Sequence, residues 1–272
     1  MSITADFHLH SSYSGDSDAS MEDMVLKGID KGLTHMCFTE HMDYDYPANE
    51  NCPEDTFILN PDSYLFDLIK YKERYADKLE VRFGVELGLQ PHLFGKNAKL
   101  IRDYDWDFVI GSSHVVNGRD PYYPSFYEGR SEESAYREYF ESILANIKKF
   151  SNFDVYGHLD YVVRYGPNKA DNYSYAKYAD ILDEILTTLI ENEKGIELNT
   201  GAFRKGLSEP NPCSDIIRRY RELGGEIITV GSDGHKAEHY AWEFERAADI
   251  LRAAGFEYYT LFRNRKPEMI KI

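Results

Sequence analysis

The chain has few cysteines, no long apolar run and a shortage of positive charge. Its three cysteines, Cys37, Cys52 and Cys213, are widely spaced and form no CxxC pair. Neither a disulfide framework nor a structural zinc knuckle is therefore indicated. Cys37 stands in an apolar run that points to burial, while Cys52 and Cys213 read as loop residues. No stretch approaches the roughly 18 consecutive apolar residues of a membrane span, and the opening MSITADFHLH lacks a basic leader followed by an apolar run. A cytoplasmic protein is expected. Lys and Arg number 31 against 47 Asp and Glu, for a formal charge of -16. Such a chain repels nucleic-acid backbones and anionic membranes at long range. The expected partner is a small molecule, with no nucleic acid and no membrane; oligomeric state is not legible.

What the chain does have is material for a core: 42% of its 272 residues are hydrophobic and 14% aromatic. One domain over residues 1–272 is expected, since single α/β barrels commonly reach this length. Short apolar runs alternate with longer amphipathic stretches, the pattern of a β/α succession with a mainly parallel sheet. Seven strands are predicted: Thr4 to Leu9, Thr34 to Thr39, Glu80 to Leu87, Phe108 to Ser112, Phe153 to Gly157, Gly195 to Asn199 and Glu226 to Gly231. Helices are predicted over Met21 to Lys31, Ser63 to Ala76, Glu132 to Phe150, Tyr173 to Glu193, Cys213 to Leu223 and Ala237 to Ala254. The segments KGLTHMCF and LGGEIITV each place a helix-ending Gly before a strand. Two long, polar, Tyr-rich loops, Met42 to Pro61 and Val115 to Ser131, are expected to contact substrate.

The nine histidines decide where the chemistry lies. His8 and His10 end the first predicted strand, His41 follows the second, His114 the fourth, His158 the fifth and His235 the seventh. Three carboxylates join them: Asp16 in the loop after the first strand, Glu86 at the end of the third, and Asp233 two residues before His235. In a barrel of parallel strands all nine converge on the C-terminal rim, where such folds assemble their active sites. HLH and the DGH of GSDGH reinforce this, because residues two apart on a strand share a side and can reach one ion. A lone HxH or a lone strand-end Glu is as well explained by structure or capping; the joint placement carries the reading. Nine such ligands exceed the roughly four to six that one ion takes, which implies two or three metal ions. His35, His92 and His239 are read as non-ligands. Asp6, Glu40 and Asp160 adjoin the ligands and have two readings, as acceptors that orient the imidazoles or as capping and solvated groups.

The segments DFHLHSSYSGDS, CFTEHMDYDYP, FGVELG, IGSSHVV, GHLDYVVRYGP, ELNTGAFRKG and VGSDGHK together resemble the polymerase-and-histidinol-phosphatase superfamily. More narrowly they are similar to its stand-alone histidinol-phosphate phosphatases of histidine biosynthesis. The resemblance implies a distorted seven-stranded (β/α) barrel, TIM-barrel-like, with its active site at the C-terminal ends of the strands. It also implies three divalent ions, of zinc, manganese or iron. By resemblance His8, His10, Glu86 and Asp233 hold the first ion, Glu86 bridges to a second held also by His114 and His158, and Asp16, His41 and His235 hold the third. Arg164 matches a family arginine that binds substrate phosphate; Arg204 is the candidate for a second.

The activity implied is hydrolysis of L-histidinol phosphate, a phosphomonoester, to L-histidinol and phosphate. Water acidified between metal ions would attack phosphorus as hydroxide, while the arginines stabilise the developing charge. Asp233 or a metal-bound water would protonate the leaving alkoxide. The acidic segment MDYDYPANENCPED is expected to face the cationic amino alcohol, or else to be simply solvated. Other readings are a different phosphoesterase of the superfamily, acting on phosphotyrosine or nucleotides, and a non-catalytic metal-binding module.

Overall fold

In the computed structural model, residues 3–50 and 52–272 are described. In chain order the elements are β1 Ala5–Leu9, α1 Met21–Asp30, β2 His35–Met42, α2 Pro61–Arg74, β3 Glu80–Gly88, α3 Phe94–Asp103 and β4 Phe108–Ser112. They continue with α4 Glu132–Ile147, β5 Val155–Tyr156, α5 Ala179–Glu191, β6 Gly195–Asn199, the single turn α6 Gly201–Arg204, α7 Ser214–Glu222, β7 Ile228–Gly231, α8 Phe244–Ala253, β8 Tyr258–Arg263 and β9 Lys266–Lys271. The first seven strands pair in sequence order, all parallel, with α1 to α5 and the pair α6 and α7 along the connections between them and α8 after β7. The result is a distorted, nearly closed (β/α) barrel, in which all parallel strands require helical crossovers.

Local chemistry sets several of these boundaries. Ser20, Asn60 and Ser131 cap α1, α2 and α4 by accepting the backbone N–H groups of Asp23, Ser63 and Ser134. Gly32 and Gly224 take φ of +74° and +98°, so the two glycines marked in the sequence end their helices in the left-handed region. Two predicted helices are shorter than expected. Tyr173 to Glu193 splits into a 3-10 turn at Tyr175–Tyr178 followed by α5. Ala237 to Ala254 likewise begins with a 3-10 turn at Ala237–His239, and α8 starts only after Ala241 and Glu243, whose φ are +48° and +56°.

Helix α3 and the hairpin β8–β9 are not predicted from the sequence. Leu93 precedes α3 without a side-chain cap, so no start signal is present. The hairpin turns through Asn264 and Arg265, with φ of +49° and +62°, the conformation normally flagged by Asn-Gly or Asp-Gly. This hairpin closes the end of the barrel opposite the histidines. Tyr259 Oη accepts the backbone N–H of Thr4 at 3.2 Å, Thr260 Oγ1 accepts that of Ile228 at 3.2 Å, and the buried Arg82 guanidinium donates to Phe262 O at 3.3 Å.

The barrel closes between β1 and β7 with little ladder. Asp233 N donates to His8 O and His10 N donates to Gly234 O, both at 2.9 Å. Below them the Asp6 carboxylate, 0% exposed, spans the seam by accepting Ser232 N at 2.9 Å and Ala241 N at 3.0 Å. Replacing Asp6 by Ala would leave both N–H groups buried and unpaired, at about 1–3 kcal/mol each. Asp6→Ala is therefore expected to lower the thermal midpoint of the metal-stripped protein by roughly 5–10 °C. An unchanged midpoint would show that the seam does not depend on this carboxylate.

Candidate metal centre

The centre is assembled from strand ends. In the β2–β3 ladder His41 lies opposite Glu86, so their side chains share a face of the barrel. His41 is inside β2 rather than after it, since that strand runs on to Met42. His8 lies within β1, with His10 just beyond its end; His114 and His158 follow β4 and β5, and Asp233 and His235 follow β7. Gly231 makes the closure possible: a Cβ there would lie 2.3 Å from His8 Cβ and 2.4 Å from Glu197 Oε1. His158 and Asp233 occupy φ of +24° and +54°, and such strained backbone clusters where a site constrains it.

All nine predicted residues meet at this rim. Four sets bring donor atoms within 4.8 Å of one another: His8, His10 and Asp233; His8, Glu86 and His158; His41, Glu86 and His114; and His10, His41 and His235. Glu86 belongs to two of them, with Oε1 2.9 Å from His158 Nε2 and 3.3 Å from His114 Nε2, and Oε2 3.1 Å from His41 Nδ1. Asp16 is in none of the four sets but reaches to 3.0 Å of His235 Nε2 and 3.7 Å of His41 Nε2. Burial would raise the Glu86 carboxyl, yet the surrounding His8, His114 and His41 hold it well below the usual range. Burial likewise opposes ionisation of Asp233, but Arg164 and His8 hold it well below the carboxylate norm.

The outward nitrogens of three imidazoles are fixed by acceptors. His8 Nδ1 lies 2.6 Å from Glu197 Oε1 and His114 Nδ1 lies 2.8 Å from Asp43 Oδ1. A carboxylate only accepts, so both Nδ1 atoms carry a proton and Nε2 is the nitrogen turned to the centre; against the opposing effect of burial, the carboxylates around them hold both imidazoles above their usual range. His10 Nδ1 lies 3.0 Å from Ser14 Oγ, whose own proton goes to Glu40 Oε2 at 2.5 Å. Inward, Glu86 Oε2 and His41 Nδ1, 3.1 Å apart, are buried with no aligned hydrogen bond, while His158 Nε2 meets Glu86 Oε1 at 2.9 Å. So many nitrogen and oxygen donors buried within 4.8 Å of one another are what a divalent cation satisfies. The mixed imidazole and carboxylate donors suit zinc, manganese or iron.

Of the flanking carboxylates, none touches an imidazole directly. Asp6 spans the seam, Glu40 acts on His10 only through Ser14, and Asp160 accepts Asn211 Nδ2 and Cys213 N. The direct acceptors, Glu197 and Asp43, are not among the residues expected from the sequence. Glu197 had one signal, a charged residue inside the apolar run GIELN; Asp43 had its place two residues after His41. His35 pairs with Glu80 and His92 with Asp45, away from the centre. His239 lines the cavity beside it but joins no ligand set.

A cavity of about 660 Å³ opens in front of the centre. Both predicted arginines line it. Arg164, 5% exposed, donates from Nε to Asn211 Oδ1 at 2.6 Å, from Nη1 to Asp233 Oδ2 at 2.8 Å and from Nη2 to Asn199 Oδ1 at 2.8 Å. Arg204 donates to Ser232 O and Asp233 O, each at 2.7 Å. Lys205, not anticipated, stands with them, its ammonium pushed down by burial. Both Tyr-rich loops reach the cavity, through Tyr46, Thr56 and Phe57 and through Asp120, Tyr122 and Tyr123. The acidic segment contributes little free charge there. Asp43 is committed to His114, Asp45 pairs with His92 and Lys96, and Glu50, Glu54 and Asp55 do not line the cavity. Cys52, expected on a loop, is buried in the cavity wall.

Comparison with known proteins identifies relatives over nearly the whole chain. The PHP domain family matches residues 6–201. A histidinol-phosphatase of Lactococcus lactis is 33% identical over 262 residues, covering 96% of this chain and 95% of the relative. A probable histidinol-phosphatase of Clostridium acetobutylicum is 31% identical, over 89% and 90% of the two chains. Among solved structures, the histidinol phosphate phosphatase of Lactococcus lactis, complexed with zinc, L-histidinol and phosphate, superposes with a TM-score of 0.90 at 32% identity, covering 97% of this chain and 98% of that one. A putative histidinol phosphatase from Listeria monocytogenes shares the fold, with a TM-score of 0.78 at 18% identity over 89% and 99% of the chains. With its barrel, its rim of histidines and these relatives over nearly its whole length, the chain belongs to the PHP domain family.

Proposed function

We propose that this protein is a metal-dependent phosphomonoesterase that hydrolyses L-histidinol phosphate to L-histidinol and phosphate, as one domain over residues 1–272. The observation that carries this reading is the meeting, at one cavity, of buried imidazole and carboxylate donors around Glu86 and a cluster of cations at Arg164, Arg204 and Lys205. It is supported by the likeness, at a TM-score of 0.90, to a protein whose structure holds zinc, L-histidinol and phosphate. Three ions are proposed, of zinc, manganese or iron. His8, His10, Glu86 and Asp233 would hold the first, Glu86, His114 and His158 the second, and Asp16, His41 and His235 the third. Ions bound there would acidify a water toward neutral pH and neutralise phosphoryl oxygens.

The chain's own residues supply the rest. Arg164 and Arg204 keep donors unspent by their protein contacts and are anchored beside Asp233. Prepaid positioning of this kind lets them stabilise charge on the phosphoryl oxygens without reorganising. Lys205 adds a third positive charge. Asp233 joins the two halves of the site: Oδ1 faces His8 and His10 at 4.0 and 3.8 Å, while Oδ2 is held by Arg164. Because Asp233 is ionised, it is an acceptor in the resting site. Its carboxylate would accept the proton released as the water attacks and pass it to the leaving alkoxide. Asp43 and Glu197 keep His114 and His8 in the tautomer with Nε2 free.

A panel of histidinol phosphate, phosphotyrosine and nucleoside monophosphates tests the substrate. Histidinol phosphate should have the highest kcat/KM, and an equal or higher value for another substrate defeats the assignment. Glu86→Gln and His114→Ala should each lose bound metal and lower kcat/KM by at least roughly 100-fold. Full activity in either would remove the cluster from the reaction, and bound metal without turnover of any substrate in the wild type would favour a non-catalytic metal-binding module. Glu197→Gln should weaken metal affinity roughly 10- to 100-fold in a direct titration, since an amide cannot fix the His8 tautomer as a carboxylate does. Unaltered affinity would assign Glu197 to packing alone.

A further inference from the structure

The cavity has two unlike flanks. Lys205 feels Arg164, Asp233, Arg204 and Asp16 on one, whereas Asp120 on the other feels His114 and Asp43. Asp120 comes from the loop after β4 and is 5% exposed. Its Oδ1 accepts the backbone N–H of Tyr122 at 2.7 Å and its Oδ2 accepts the Tyr46 hydroxyl at 2.5 Å. Among the described residues neither contact supplies a positive charge. A carboxylate offers about four acceptor positions, so these two contacts leave acceptor capacity on a residue that lines the cavity. Burying a carboxylate without a countercharge is costly, and in a binding cavity that cost is offset when a ligand brings the charge.

The surroundings fit the same ligand. Tyr161 packs on His114 at 5.5 Å between ring centres, Tyr165 on Tyr161 at 5.1 Å and Tyr122 on Tyr165 at 5.1 Å. Tyr46 packs edge-on against Phe57 at 4.6 Å. A line of aromatic rings thus runs from the metal centre to the rim, where Tyr122 is 53% exposed. Such faces attract cations and planar rings. The carboxylates of the acidic segment before α2 are spent or turned away, which leaves Asp120 as the acidic group able to meet a cationic ligand on this flank.

We propose that Asp120 is a specificity-determining residue that binds the cationic amino-alcohol portion of the substrate, while the opposite flank binds its phosphate. This rests on the histidinol-phosphate reading of the site. The test is steady-state kinetics of the metal-loaded protein on histidinol phosphate and on 4-nitrophenyl phosphate, whose tail carries no positive charge. Asp120→Asn should lower kcat/KM for histidinol phosphate roughly 10- to 100-fold, mainly through KM, and abolish most of its advantage over 4-nitrophenyl phosphate. Equal proportional losses on both substrates, or no loss on histidinol phosphate, would overturn the role of Asp120 while leaving the enzyme assignment standing. A wild-type protein that does not prefer histidinol phosphate would overturn the assignment and this inference together. Should Asp120→Asn fail to fold, the wild type still decides: histidinol should inhibit 4-nitrophenyl phosphate hydrolysis at least roughly tenfold more strongly than the uncharged alcohol 3-phenylpropanol. Equal inhibition by the two would overturn the proposal.

Discussion

Much of the molecule answers to one constraint, the crowding of imidazoles and carboxylates around the fully buried Glu86. Removed from water, each such group is unfavourable unless a partner or an ion satisfies it. The protein meets the outward half of that demand itself, with Glu197 on His8, Asp43 on His114, and Ser14 and Glu40 on His10. The inward half is left as nitrogen and oxygen donors crowded within 4.8 Å of one another, an arrangement that cations satisfy. The strained backbone at His158 and Asp233 belongs to the same geometry, since both residues turn back toward the centre immediately after their strands.

Stability and chemistry are placed at opposite ends of the barrel. The C-terminal rim carries the ionisable cluster, and the N-terminal end is closed by β8 and β9, anchored through Tyr259, Thr260 and Arg82. Between the ends, the seam of β1 and β7 is held by few backbone hydrogen bonds and by Asp6. The same short seam brings His8 and Asp233 together, so closure of the barrel and assembly of the site are a single event. Parallel barrels commonly divide labour in this way, because the loops after the strands are free to vary while the other face carries the packing.

The strands and the residues that gather at the rim were legible in the sequence for a simple reason. Parallel strands buried on both faces read as apolar runs, and the unusual residues fell at the ends of those runs. His8, His41, Glu86, His114, His158 and His235 therefore point to a common rim through their order in the chain alone. The misses have equally local causes. Asn264 and Arg265 turn the hairpin without a glycine, Leu93 starts α3 without a cap, and Ala241 and Glu243 break a helix that periodicity alone would continue.

What the sequence by itself determined was the order of β and α elements, the helix-ending glycines and the nine residues that gather at the rim. These follow from local periodicity and from residue types that have few other uses at strand ends. Only the tertiary structure decided which partner holds each imidazole, where the seam closes, and which carboxylate faces the cavity. Glu197 reaches His8 across 189 positions of sequence, and of the acidic segment only Asp43 turns inward, onto His114, while Asp120 of a different loop lines the cavity. Such choices depend on distances between residues remote in the chain, and no local pattern encodes them.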